Sequence, residues 1–109
     1  MMQLTAYEIQ ILNEIYIEIE SNFKKRVPIA DVIGKYHISV STLSKAFKIL
    51  FQKTIDQHRL EVTINYAKKR LQEGAQVKIV ASELGYANTS SFCRTYKKVT
   101  KHSPLKQIP

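Results

Sequence analysis

The chain has few of the residues from which disulfide frameworks, metal centres and cofactor sites are built. Cys93 is the single cysteine among 109 residues, so no intramolecular disulfide can form and a reducing compartment is the expected setting. Three histidines, His37, His58 and His102, lie far apart on separate predicted elements and offer no metal-ligand spacing. With only three glycines there is no glycine-rich phosphate loop. No apolar run approaches the roughly 18 residues that mark a membrane span. The N-terminus also lacks the basic region and uninterrupted apolar stretch of a secretory signal, which makes the cytoplasm the expected location. No segment alternates apolar and polar residues with a period of two between turn signals, which leaves an all-α class. The stacking platform of sheet-based RNA-binding folds is missing too. Nothing positive argues for catalysis or for a cofactor.

What is present is unevenly distributed. An apolar content of 44% is enough for a packed core, and 109 residues make one domain or two very small ones sharing a helix. The 17 lysines and arginines outnumber the 9 carboxylates, for a net charge of +8. Residues 1–23 contain Glu8, Glu14, Glu18 and Glu20 and no lysine or arginine. All the basic residues therefore come after this acidic segment, which points to a polyanionic partner such as nucleic acid. The acidic segment could itself dock against a polymerase subunit or another protein domain.

Capping signals divide the chain. Thr5 with Glu8 fits a capping box, and Ile9, Leu12, Tyr16, Ile19 and Phe23 mark the expected inner face of a first helix. Pro28 opens a short second helix whose expected buried side is Ile29, Val32, Ile33 and Tyr36. Ser39 caps a third helix running from Val40 to about Phe51. Thr54 with Gln57 starts a long fourth helix with Leu60, Ile64, Ala67 and Leu71 inward, stopped by Gly74. Val77, Val80, Ala81 and Leu84 form the fifth, closed by Gly85 with Tyr86 packing the turn. Asn88 caps the sixth, with Phe92, Tyr96 and Val99 inward, and Ser103-Pro104 begins a short final turn. The expected architecture is two helix-turn-helix subdomains, residues 1–53 and 74–109, joined by a linker helix over 54–73, with about seven helices in all.

The two subdomains are copies. SVSTLSKAFK (39–48) laid over NTSSFCRTYK (88–97) with an offset of 49 matches Ser41 with Ser90, Leu43 with Phe92, and Ser44 with Cys93. It also matches Lys45 with Arg94, Phe47 with Tyr96, and Lys48 with Lys97. In the preceding short helices the offset is 48, pairing Ile29 with Val77 and Val32 with Val80, so the extra residue falls in the turn. In each copy one stripe is bulky and apolar and the other is small, hydrogen-bonding and positive. A helix that enters a DNA major groove needs this division: a rear anchored to a scaffold and a front of short side chains with a few longer donors. On that reading Ser41, Thr42, Ser44, Lys45, Asn88, Thr89, Ser90 and Arg94 are candidates for base contacts. Ser39, Lys48, Lys97 and Lys98 are candidates for phosphate contacts. Arg94 is the strongest reader, because a guanidinium bridges O6 and N7 of guanine; the alternative for it is a surface ion pair with Glu83. Cys93 reads as a small substitute for serine, with a redox-sensing thiol as its alternative.

The stretch ASELGYANTSSFCRTYKKVTKHSP (81–104) resembles the signature of the AraC/XylS family of bacterial transcription regulators, a Gly-aromatic turn ahead of S-x-F-x-R-x-F-K-K and a Pro-containing turn. The match falls on Gly85, Tyr86, Ser90, Phe92, Arg94, Tyr96, Lys97, Lys98 and Pro104, and in the first copy on Ser39, Ser41, Leu43, Ser44, Lys45, Phe47 and Lys48. The resemblance covers about residues 5–108. It implies a homeodomain-like, double-stranded-DNA-binding unit that acts as a monomer, with helices 40–51 and 88–99 in successive major grooves. It also implies either a self-contained regulator or the C-terminal part of a longer one. A protein-interaction module, or a non-specific nucleic-acid binder whose specificity lies in a partner, is the alternative. The sequence departs from the family pattern at Gln52, Lys101 and His37, where turn glycines are frequent, and at Thr63, where the linker helix usually carries arginine.

Overall fold

The computed structural model describes residues 4–25 and 28–104, except for the side chains of Ile29 and Val32. Among the described residues six α-helices succeed one another: α1 (Ala6–Asn22), α2 (Ile29–Ile33), α3 (Val40–Phe51), α4 (Ile55–Gln72), α5 (Val77–Glu83) and α6 (Thr89–Thr100). A 3-10 turn, Phe23–Lys25, extends the end of α1, and there is no strand among the described residues. The all-α class holds, but the expected count of about seven is slightly high: the described residues form six α-helices, and the added 3-10 turn follows α1 rather than closing the chain. Residues 105–109 lie outside the described residues, as do the expected inward side chains of Ile29 and Val32.

Local chemistry sets the helix starts. The Glu8 N–H donates to Thr5 Oγ1 at 3.1 Å while the Thr5 N–H donates to Glu8 Oε1 at 3.0 Å. Thr54 and Gln57 exchange the same pair of bonds at 2.8 and 3.0 Å ahead of α4. Each box satisfies two backbone donors that a helix terminus otherwise leaves open.

The chain folds as two compact units, one of Met1–Phe23 with Val27–Leu60 and the other of Lys24–Arg26 with Glu61–Pro109. In the first, Ile11, Leu12, Ile15 and Ile19 of α1 are buried with Ile33, Leu43, Ala46, Phe47 and Ile55. The inner face of α1 is thus rotated from the expected one: Ile9 is 37% exposed, and Ile11 and Ile15 take its place. The reason is that α1 has apolar residues nearly all round, so periodicity alone admits two faces, and packing against α3 selects one. Tyr16 sits at the edge of this core, stacked on buried His58 with ring centroids 3.9 Å apart and tilted against Phe51 at 4.7 Å.

In the second unit, Ile64, Ala67 and Leu71 of α4 pack with Val80, Ala81, Leu84, Phe92 and Tyr96. Tyr86 meets Phe92 edge-on at 5.4 Å, which holds the turn against the core as expected. Arg70 grips Glu83 with two bonds of 3.2 and 3.3 Å, tying α4 to α5.

The turns of the two copies differ. Gly85 takes φ +77°, and its N–H bonds to the Ser82 carbonyl while Tyr86 N–H bonds to Ala81, a Schellman closure that needs the left-handed residue. In the first copy His37 is not left-handed. The glycine there is Gly34, at φ −60°, where a Cβ would come within 2.8 Å of the Ala30 carbonyl oxygen. The helices α3 and α6, by contrast, end alike. Gln52 (φ 62°) and Lys101 (φ 68°) are left-handed, and each N–H bonds to the carbonyl four residues back at 2.8 Å.

This packing has two measurable consequences. Gln52→Gly should relieve left-handed strain, less the extra chain entropy of glycine, and raise stability by about 0.5–1 kcal/mol; an unchanged or lower urea midpoint contradicts it. Burial raises the Tyr96 pKa above its ordinary value, and its hydroxyl has no hydrogen-bond partner among the described residues. A group whose folded pKa is raised holds its full stability below the unfolded pKa and loses it as pH rises through the folded one. Stability should therefore fall above about pH 10. Tyr96→Phe should flatten that alkaline loss without destabilising the protein at neutral pH, as read by urea titrations across the range.

Candidate nucleic-acid interface

Two helices, one in each unit, carry the same outward chemistry. On α3 the inward residues Leu43, Ala46 and Phe47 have no exposed surface. At a rotation of about 100° per residue, this places Ser41, Lys45 and Lys48 on the opposite side, with Ser44 at its border. Ser41, Lys45 and Lys48 are exposed and Ser44 is half-buried. On α6, Phe92 and Tyr96 are inward with no exposed surface. Ser90, Arg94, Lys97 and Lys98 are exposed, and Cys93 is half-buried at the position equivalent to Ser44.

The caps fix where each face begins. Ser39 Oγ accepts the Thr42 N–H at 3.1 Å and donates to Thr42 Oγ1 at 2.8 Å. Both hydroxyls are therefore engaged in the cap, and Thr42 is half-buried. Asn88 Oδ1 accepts the Ser91 N–H at 2.8 Å. Thr89 is half-buried in the first turn of α6 beside exposed Ser90. So Ser39, Thr42 and Asn88 shape the helix starts, while Ser41, Ser44, Lys45, Ser90 and Arg94 are displayed from them.

Electrostatics separates these fronts from other charged sites. Lys35 pairs with Glu18 at 2.7 Å, and that hydrogen bond raises its pKa. Lys24 lies over the Tyr66 ring at 4.2 Å. Arg70 is held by Glu83, whose hydrogen bond raises the guanidinium pKa further. Glu83, the alternative partner for Arg94, is thus already engaged. Among the described residues Lys45, Lys48, Lys97 and Lys98 form no ion pair, and Arg94 makes only a long 3.4 Å bond to Ser91 Oγ. Ser91 is a site residue that sequence reading passed over. It stands three residues before Arg94, where a helical side chain meets its neighbour, and that spacing is the signal that could have found it.

The remaining titratable residues do not gather here. His37 and His102 are exposed on turns and His58 is buried in the first unit. No described helix is long and apolar enough to cross a membrane.

Comparison with known proteins identifies the family and the fold. A helix-turn-helix domain family profile matches residues 33–106. An uncharacterized HTH-type transcriptional regulator in the cgkA 5' region of Pseudoalteromonas carrageenovora is 33% identical over 94 residues, which span 86% of this chain and 56% of that protein. The chain thus spans little more than half the length of that relative. Among solved structures, an AraC-type transcriptional regulator of Chromobacterium violaceum superposes with a TM-score of 0.80 at 20% identity, covering 94% of this chain and 93% of that one. The C-terminal domain of AraT, a response regulator from Geobacillus stearothermophilus, superposes with a TM-score of 0.82 at 18% identity, covering 97% and 86%. With the family match, the two capped helices and the repeated face in hand, the chain belongs to the AraC-type helix-turn-helix family of transcription regulators.

Proposed function

We propose that the chain binds double-stranded DNA in a sequence-specific way, as a monomeric unit, by setting α3 and α6 into successive major grooves. The observation that carries this reading is the doubling of one design: a capped helix, fully buried behind, with donors in front that have little or nothing to hold within the protein. Arg94 and Lys45 are the long readers, and Ser41, Ser44, Thr89 and Ser90 are the short base partners, joined by the Thr42 O–H and the Asn88 amide NH2, which donate nothing to the caps. Lys48, Lys97 and Lys98 hold phosphates, while Ser39, whose hydroxyl hydrogen goes to Thr42, fixes the start of α3. The three lysines alone should give a salt slope of about −3 on a logarithmic plot, by counterion release.

A second reading concerns α1. Its acidic surface also exposes Tyr7 and Ile17, at 60% and 61%, which favours a protein contact there, RNA polymerase being the partner in keeping with transcription regulation.

Arg94→Ala and Lys97→Ala test the division of labour. Selection from a random duplex library should show Arg94→Ala losing preference at one guanine position, with a cost of about 1–3 kcal/mol on the preferred site. Lys97→Ala should weaken all sequences alike and flatten the salt slope by about one. Equal loss of specificity in both variants would sink the assignment.

A further inference from the structure

Val40 opens α3 and is 44% exposed. Exposed large apolar side chains are few among the described residues: Tyr7, Ile9, Ile17, Ile49 and Ile79 are the others. Val40 alone stands beside Ser41 at the start of a helix whose front is small and positive. The repeat gives its position meaning. With the offset of 49, Val40 corresponds to Thr89 on α6. Valine and threonine have nearly the same shape and differ by a methyl in place of a hydroxyl. The first copy therefore keeps the outline of this position and exchanges its hydrogen-bonding group for an apolar one. The same helix has no guanidinium, since Lys45 stands where α6 has Arg94, so it lacks the fork that grips guanine from two atoms.

We propose that Val40 is a specificity-determining residue that reads thymine, packing its methyl groups against the C5-methyl in the major groove that receives α3. The methyl is the one apolar feature that a base edge offers there, and the N-terminal residues of a recognition helix are those that meet base edges. The two halves of the site are then read by different chemistry: a guanine held by Arg94 on the α6 side, and a thymine methyl held by Val40 on the α3 side. This inference rests on the reading of α3 as a groove-entering helix.

The experiment starts from the duplex sequence that the full chain prefers in selection. Each thymine in the α3 half is replaced singly by deoxyuridine, which lacks only the C5-methyl. One position should lose about fourfold in affinity, the value of one buried methyl-sized group. At that position Val40→Ala should bind thymine and deoxyuridine equally. Val40→Thr, which keeps the shape and guards against a folding defect, should retain only part of the discrimination. Ile49→Ala, at the far end of α3, should keep all of it. If no replacement affects the wild-type chain, or if Val40→Ala discriminates as well as wild type, the assignment to Val40 is overturned while the DNA reading stands. If the wild-type chain selects no sequence at all, both fail together.

Discussion

A helix whose bulky apolar residues all lie on one side has its rotation fixed by where those residues are buried. Leu43 and Phe47 on α3, and Phe92 and Tyr96 on α6, are removed from solvent entirely. Burial of each such side chain is worth about 1.5–3 kcal/mol, so turning either helix by even one residue would expose a large part of its unit's core. The outward residues are therefore held in place by groups they never touch. Ser41, Lys45 and Lys48, like Ser90, Arg94 and Lys97, face solvent because there is no other way to pack the residues between them. The short helix before each copy and the caps at Ser39 and Asn88 then set where along the axis that face begins.

Charge obeys the same division. Several carboxylates are engaged away from these fronts: Glu18 holds Lys35, Glu83 holds Arg70, and Glu8 closes the capping box of α1. Glu14 accepts the Tyr36 hydroxyl at 3.1 Å, and burial together with that bond raises the phenol's pKa. A front left uncompensated in this way is unfavourable in isolation because like charges repel, and a line of phosphates relieves it. Arg94 gains little from its 3.4 Å contact to Ser91 and would lose little by leaving it.

Much of this was legible in the sequence because the signals were local. Capping boxes at Thr5 and Thr54, stop signals at Gly74 and Gly85, and the inward stripes of α3 to α6 depend on residues within one or two turns of each other. The inner face of α1 was not legible. With Ile9, Ile11, Leu12, Ile15, Tyr16, Ile17 and Ile19 spread around one helix, the face is chosen by the partner helix, which periodicity cannot see. The turn of the first copy was also hidden. Its glycine requirement at Gly34 comes from close approach to the Ala30 carbonyl rather than from a left-handed backbone. At Gln52 and Lys101 the sequence departs from the family pattern, yet the backbone takes the left-handed conformation there all the same. The cost of one residue is small beside the core it allows to close. In the candidate site, residue types and spacing were readable. The engagement of Ser39 with Thr42 and of Glu83 with Arg70 needed coordinates, because both depend on side-chain placement.

If the face that occurs twice meets one duplex with both copies, as proposed, it leaves a distinctive footprint. Hydroxyl-radical footprinting of the wild-type chain on its preferred duplex would reveal it most directly. Two protected clusters should lie on one face of the DNA, about 10 base pairs apart, with Arg94→Ala weakening protection in one cluster and Lys45→Ala in the other. A single protected cluster, or loss of the same cluster in both variants, would contradict the doubled face.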